Sequence, residues 1–294
     1  MFYRRKVILG LIELLGGEVE KLRFQKLLFL YAMKKQNPEY DFVPYKFGCY
    51  SYSAKADMNT MVKKGFLSES ENKYGKADTS SYFKKLKVTD RQLLQEVVSD
   101  YGSMSSNALI KHTYLNFPFC AIRSTIAKDV LPGELYKRVE KAMPREEETT
   151  LFTIGYEGIS LEKYLQKLVQ NNVKLLVDVR KNPLSMKFGF SKTLLKRYCN
   201  SLGIEYLHVP EVGINSDKRQ ALETQADYDR LFADYRKTTL SETSAHQKQI
   251  LGLLKKYRRI ALTCFEAEPC QCHRSHLANE LVQTKDLEFP LKHL

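Results

Sequence analysis

Apolar and polar residues alternate with two different periods along this chain, and the change of period divides it. In the first half the apolar positions recur at helical spacing. Val7, Ile8, Leu11, Ile12, Leu14 and Leu15 form one face, which Gly16 and Gly17 end. Leu22, Phe24, Leu27, Leu28, Leu30 and Tyr31 form a second, stopped before Pro38. A third helix is predicted over Ala54–Lys64, ending at Gly65. FLSES and YFKKLKVT then read as two strands joined by the polar segment ENKYGKADTSS. Helix resumes over Arg91–Tyr101 and Ser105–Tyr114. Three helices followed by a hairpin outline a winged helix, in which a helix enters a nucleic-acid groove and the hairpin touches phosphates.

After PREEETT (Pro144–Thr150), a polar and acidic stretch without apolar periodicity, the pattern changes. LFTIGY, VKLLVDV, IEYLHV and RRIALTC are short apolar runs of strand length. Helical patterns lie between and after them: Ser160–Gln170, Thr193–Leu202, two stretches near Tyr228–Tyr235 and His246–Tyr257, then His273–Val282. LEFPLKHL reads as a last short strand. Strands alternating with helices predict an α/β fold with a mostly parallel, doubly wound sheet. The expected organisation is a mainly α, winged-helix-like domain at 1–143, a linker at 144–150 and an α/β domain at 151–294.

Composition adds a partner class. The chain has 294 residues, a formal charge of +13 and 43% hydrophobic residues. It is globular, and basic in both halves rather than in a tail. Such a charge suits an acidic partner, DNA or RNA first and a phosphorylated small molecule second. Lys84, Lys85 and Lys87 fall on the second hairpin strand, where alternation puts Lys85 and Lys87 on one face, so they are expected to contact nucleic acid. The aromatic run YKFGCYSYS could stack on bases, or anchor its loop on the core. No apolar run approaches the ~20 residues of a membrane span. The opening MFYRRKVILGLIELLGG has the look of a signal peptide, but Glu13 interrupts it and no small-x-small site follows, so it reads as a first helix. Without a secretion signal, the six cysteines are expected to be reduced thiols of a cytoplasmic protein.

In a parallel sheet, ligands bind beyond the carboxyl ends of the strands. The residues there are Gly155, Tyr156, Glu157 and Gly158 after the first strand, and Asp178, Arg180, Lys181, Asn182 and Pro183 at and after the second. His208 and Glu211 follow the third, and Cys264, Glu266, Cys270, Cys272, His273 and Arg274 the fourth. Neither a GxGxxG fingerprint nor a GxxxxGK[ST] phosphate loop is present, which argues against an ordinary ATPase. Asp178, Glu157 and Glu266 together could activate water or bind a divalent cation. Asp178 and Arg180, on one strand face, equally suit an ion pair. Arg180, His273 and Arg274 suit phosphate, the last two at a helix N-terminus. Zinc is disfavoured, because C-x5-C-x-C-H-x2-H matches no common structural site. Cys264 at a strand end is a candidate nucleophile, or an inert buried thiol. Tyrosine-phosphatase chemistry would need an arginine at position 270, which is Cys270. LLVDVR with a late strand-end cysteine is similar to rhodanese, which implies sulfur transfer through Cys264.

The motifs TIGYEGISLEKYLQKL, LLVDVRKNPLS, GIEYLHVPEVG and ALTCFEAEPCQCHRSHLANEL resemble the family called domain of unknown function 488, over nearly all of residues 151–294. The resemblance implies that Gly155, Tyr156, Glu157, Gly158, Asp178, Arg180, Pro183, Ser185, Cys264, Glu266, Cys272, His273 and Arg274 stand at its motif positions. Glu211–Ile214 departs from its more usual Leu-Gly-Gly. KLRFQKLLFLYA and YKFGCYSYSAKADMNTMVKKGFL, in the first half, are similar to the small helical domain called Panacea. The expected function is a nucleic-acid-directed hydrolase, cutting an N-glycosidic or phosphoester bond at the carboxyl edge of the sheet. The alternatives are a non-catalytic nucleotide-responsive regulator and a cysteine-dependent sulfurtransferase.

Overall fold

Gly16 and Gly17 stop the first helix, α1 (Tyr3–Leu14), by adopting φ of 83° and 90°, where only glycine is unstrained. The computed structural model describes residues 1–215, 222, 224–284 and 288–294. The chain divides into two units, Met1–Met143 and Pro144–Leu294. No helix among the described residues is long and apolar enough to cross a membrane.

In the first unit, α1 is followed by β1 (Glu18–Glu20) and α2 (Lys21–Met33). Helix α2 is buried without a break from Phe24 to Ala32, as befits the central element of a core. Next come the hairpin β2 (Val43–Tyr45) and β3 (Gly48–Tyr50), then α3 (Tyr52–Lys63), N-capped by the Ser51 hydroxyl. Strands β4 (Leu67–Glu69) and β5 (Lys73–Lys76) join β1 in an antiparallel sheet of order β1-β5-β4. Four helices complete the unit: α4 (Val88–Tyr101), α5 (Ser106–Asn116), α6 (Ala127–Val130) and α7 (Glu134–Ala142).

Two expectations fail in this unit. The strand expected over YFKKLKVT is instead a 3-10 turn, Phe83–Lys85, leading into α4. The carboxylate of Glu13 on α1 accepts hydrogen bonds from the Ser81 hydroxyl and the Tyr82 and Phe83 amides, so the backbone donors that a strand partner would need are already used. Lys84, Lys85 and Lys87 are exposed, but they share no strand face. Lys85 and Lys87 lie over the rings of Tyr82 and Tyr3. The second hairpin strand is β5, inside the segment read as a connection. The thiols are not all reduced either: Cys49 and Cys120, 71 residues apart, form a disulfide with their Cα atoms 4.8 Å apart. The cysteines therefore no longer argue for a cytoplasmic setting.

The second unit is an α/β layer structure. Its strands are β6 (Thr150–Gly155), β7 (Leu175–Asp178), β8 (Glu205–His208), β9 (Arg259–Cys264) and β10 (Leu291–His293). LEFPLKHL begins at residue 287, outside the described residues. The order is β10-β6-β9-β7-β8 and every neighbouring pair is parallel. Around the sheet run α8 (Leu161–Gln170), α9 (Lys192–Ser201), α10 (Gln225–Tyr235), α11 (Ser244–Tyr257) and α12 (His273–Val282). All residues of β6, β7 and β9 are buried, which explains why these strands read as continuous apolar runs. Strand β9, late in sequence, inserts between β6 and β7. Its register aligns Cys264 with Gly155 and Thr263 with Asp178, so three separate motifs end in one row.

Candidate functional site

Cys264 ends the central strand and is buried together with Cys272 and His273. Cys272 has extended backbone (φ −136°, ψ 133°) and caps α12, whereas His273 is its first helical residue. This change of conformation between neighbours turns both side chains towards Cys264. Sγ of Cys264 and of Cys272 lie 3.6 and 3.9 Å from Nδ1 of His273. The other ring nitrogen, Nε2, is 3.0 Å from the Val179 carbonyl. A carbonyl can only accept, so Nε2 carries a proton and Nδ1 is the ring nitrogen that faces the sulfurs. Cys264 also donates to Oε2 of Glu266 at 3.1 Å. Burial, then the Cys264 hydrogen bond and charge, hold the Cys272 thiol well above its ordinary pKa.

The loop holding Glu266 is fixed from two sides. Gly155 passes so close beneath it that a Cβ there would stand 1.8 Å from the Glu266 carbonyl oxygen. The Tyr156 and Glu157 amides both donate to the Phe265 carbonyl, and the Ala267 amide donates to the Glu157 carboxylate. Arg274, 1% exposed, donates to the carbonyls of Glu266 and Ala267. Arg274 and Glu157 thus shape the loop.

Asp178 is buried and fully engaged. It receives two side-chain bonds from Arg180, one from the Arg180 amide and one from the Tyr206 hydroxyl. Arg180 also donates through Nη1 to the Tyr156 hydroxyl and the Phe190 carbonyl. Burial opposes the charge on Arg180, but the bonds and charge of Asp178 outweigh it and raise the pKa. Tyr156 stacks on Phe190 with ring centroids 4.2 Å apart, so that face is closed to a base.

A cavity of about 320 Å³ opens beside Cys264. Tyr156, Arg180, Ser185 and Cys264 line it, joined by Lys181 and Phe265. A smaller one of about 190 Å³ takes in Glu157 and Glu266. Of the residues expected at the site, the sulfur–imidazole group and Glu266 converge. Asp178 is set apart as an ion-pair partner, and Gly158, at φ 73°, serves the turn after β6. Reasoning from sequence missed Tyr206 and Phe190, whereas Lys181, expected after the second strand, does line the cavity. The alternation of Tyr206 with His208 in IEYLHV was the available signal for the first.

Residues 160–281 match the family model described as Domain of unknown function DUF488. The matched span starts after the Gly155–Gly158 turn and takes in Asp178, Arg180, Cys264, Glu266, Cys272, His273 and Arg274. No curated protein matches the chain. Over residues 160–281, therefore, this chain contains a DUF488 segment.

Proposed function

We propose that the second unit is a metal-dependent hydrolase, with the ion held by Cys264, Cys272 and His273. One observation carries this reading: the ligand atoms of these three buried residues all lie within 4.8 Å of one another. With Zn–S near 2.3 Å and Zn–N near 2.1 Å, a tetrahedral edge from sulfur to nitrogen is about 3.6 Å. The two observed S···N separations, 3.6 and 3.9 Å, agree with that edge. The Nε2–H bond to Val179 is the outer contact that orients a metal-binding histidine. A zinc ion held by these three residues would supply Lewis-acid chemistry and make a nearby water more acidic. Glu266, beside Cys264, is placed to accept the proton, while Lys181 lines the cavity with positive charge and Arg180 borders it as the partner of Asp178.

The basic charge of the chain favours a nucleic-acid or nucleotide substrate, with an N-glycosidic or phosphoester bond as the target. Helices α1–α3 followed by the β4–β5 hairpin support a winged-helix reading of the first unit as the part that meets nucleic acid.

The test starts with metal analysis of the purified full chain, and of apo-protein reloaded with Zn²⁺. One zinc per chain, lost in Cys272→Ser, is expected, and loaded protein should release product from labelled DNA or RNA. A chain that binds no zinc sinks the reading. A second reading rests on Cys264 lining the cavity with His273 Nδ1 beside it: the imidazole activates a thiolate for sulfur transfer. Cys264 would then attack the outer sulfur of thiosulfate, forming an S–S bond as sulfite leaves, and pass that sulfur to a thiophile. Thiocyanate formed from thiosulfate and cyanide by metal-free protein, and abolished by Cys264→Ser, would favour it.

A further inference from the structure

Lys26 sits within the buried stretch of α2, in the other unit, and is 2% exposed. Its Nζ donates to the Cys49 carbonyl at 3.2 Å. Burial acts on the ammonium and pushes its pKa down to about 7. The β2–β3 hairpin closes over this amine at Gly48. A Cβ there would stand 3.0 Å from Nζ and 2.7 Å from Cε1 of Tyr114, so the turn, with φ of 90°, is shaped around the lysine. A cavity of about 330 Å³ opens at this point. Leu22, Tyr45, Phe47, Tyr50 and the bonded Cys49 line it, with Lys26. It is a largely aromatic and aliphatic pocket whose wall also holds the amines of Lys21, Lys26 and Lys46, and of the three lysines Lys26 is the buried one. Its volume suits a compound of one or two rings.

We propose that this pocket binds a small apolar aldehyde or ketone, which Lys26 captures as an imine. The rings select an apolar body, and the amine selects the carbonyl. The Lys26 nitrogen attacks the carbonyl carbon, a proton passes from nitrogen to oxygen, and the carbinolamine loses water. A C=N bond replaces C=O, with no oxidant or reductant required. A lysine desolvated in an apolar pocket is the form of this residue that acts as a nucleophile.

The experiment treats the full chain at pH 7 with benzaldehyde and cyanoborohydride, then maps benzylated lysines by peptide mass. An ordinary lysine is about 0.04% neutral at that pH, so Lys26 should label at least about tenfold faster than exposed Lys73. Benzyl alcohol, which has the ring but no carbonyl, should slow Lys26 and leave Lys73 unchanged. Labelling of Lys26 at or below the rate of Lys73, or indifferent to benzyl alcohol, overturns the proposal. Lys26→Met should lose the fast label, but mapping on the unaltered chain decides the matter even if that variant misfolds.

Discussion

Arg180 holds Asp178 by two parallel bonds, Nε to Oδ1 at 2.8 Å and Nη2 to Oδ2 at 2.5 Å, with both residues buried. The pair closes the end of β7, and Nη1 carries its order on to Tyr156 and Phe190. Removing one partner leaves the other charge in a medium that solvates it poorly. Arg180→Ala should therefore cost about 3–5 kcal/mol, read as lost hydrogen-exchange protection in β7. Replacing both residues by leucine should recover part of the loss. A single-variant cost below about 1 kcal/mol, the range of exposed pairs, would contradict a desolvated pair.

Gly155 is where the backbone of β6 touches the Glu266 loop. Gly155→Ala forces that loop outward, because the obstructing atoms are backbone and cannot swing aside. Zinc affinity should fall by about 10–100-fold, as for other outer-contact changes. Circular dichroism should retain the α/β signature. Unchanged affinity would mean that Glu266 and its loop do not support the cluster.

Glu13 joins α1 to the turn before α4. Burial would raise its pKa, but the bonds from Ser81, Phe83 and Tyr82 prevail and lower it. A depressed carboxyl stabilises the fold above its unfolded value, and that contribution is lost as pH falls through the folded one. Glu13→Ala should cost about 1–2 kcal/mol at neutral pH. Urea titrations at pH 7 and pH 3.5 should show the difference from the parent shrinking at the lower pH. A constant difference would remove Glu13 from the acid response.

Lys26 has the opposite linkage. Its folded pKa, about 7, lies below the ordinary lysine value of 10.5. Between those values the unfolded chain binds more protons, so stability rises with pH. The slope approaches about 1.4 kcal/mol per pH unit. Tyr114, beside the amine, has its own pKa raised by burial and stays neutral over most of this window. Lys26→Met should be more stable than the parent at pH 7, and the advantage should fade by pH 10. Parallel curves for the two proteins would show that the amine keeps its charge when folded.

The strands of the second unit were legible because they are buried on both faces and bounded by polar turns. Their order was not, since nothing local tells β9 to enter between β6 and β7. The same limit explains the first unit. Phe83, Lys85, Lys87 and their neighbours alternate like a strand, yet a carboxylate 70 positions earlier claims the Phe83 amide. The approach of Cys272 and His273 to Cys264 was not legible either, because it depends on a helix that begins between two neighbours in sequence.

The Cys49–Cys120 bond closes a loop of 71 residues around α3, α4 and α5. Such a cross-link removes freedom from the unfolded chain and contributes about 2–4 kcal/mol. The first unit consequently has two stabilities, one for each redox state. Cys49 also stands in the wall of the Lys26 pocket, so thiol–disulfide exchange reaches that wall directly. The reduction potential of the surroundings is thus a thermodynamic variable of this fold, acting alongside temperature and pH.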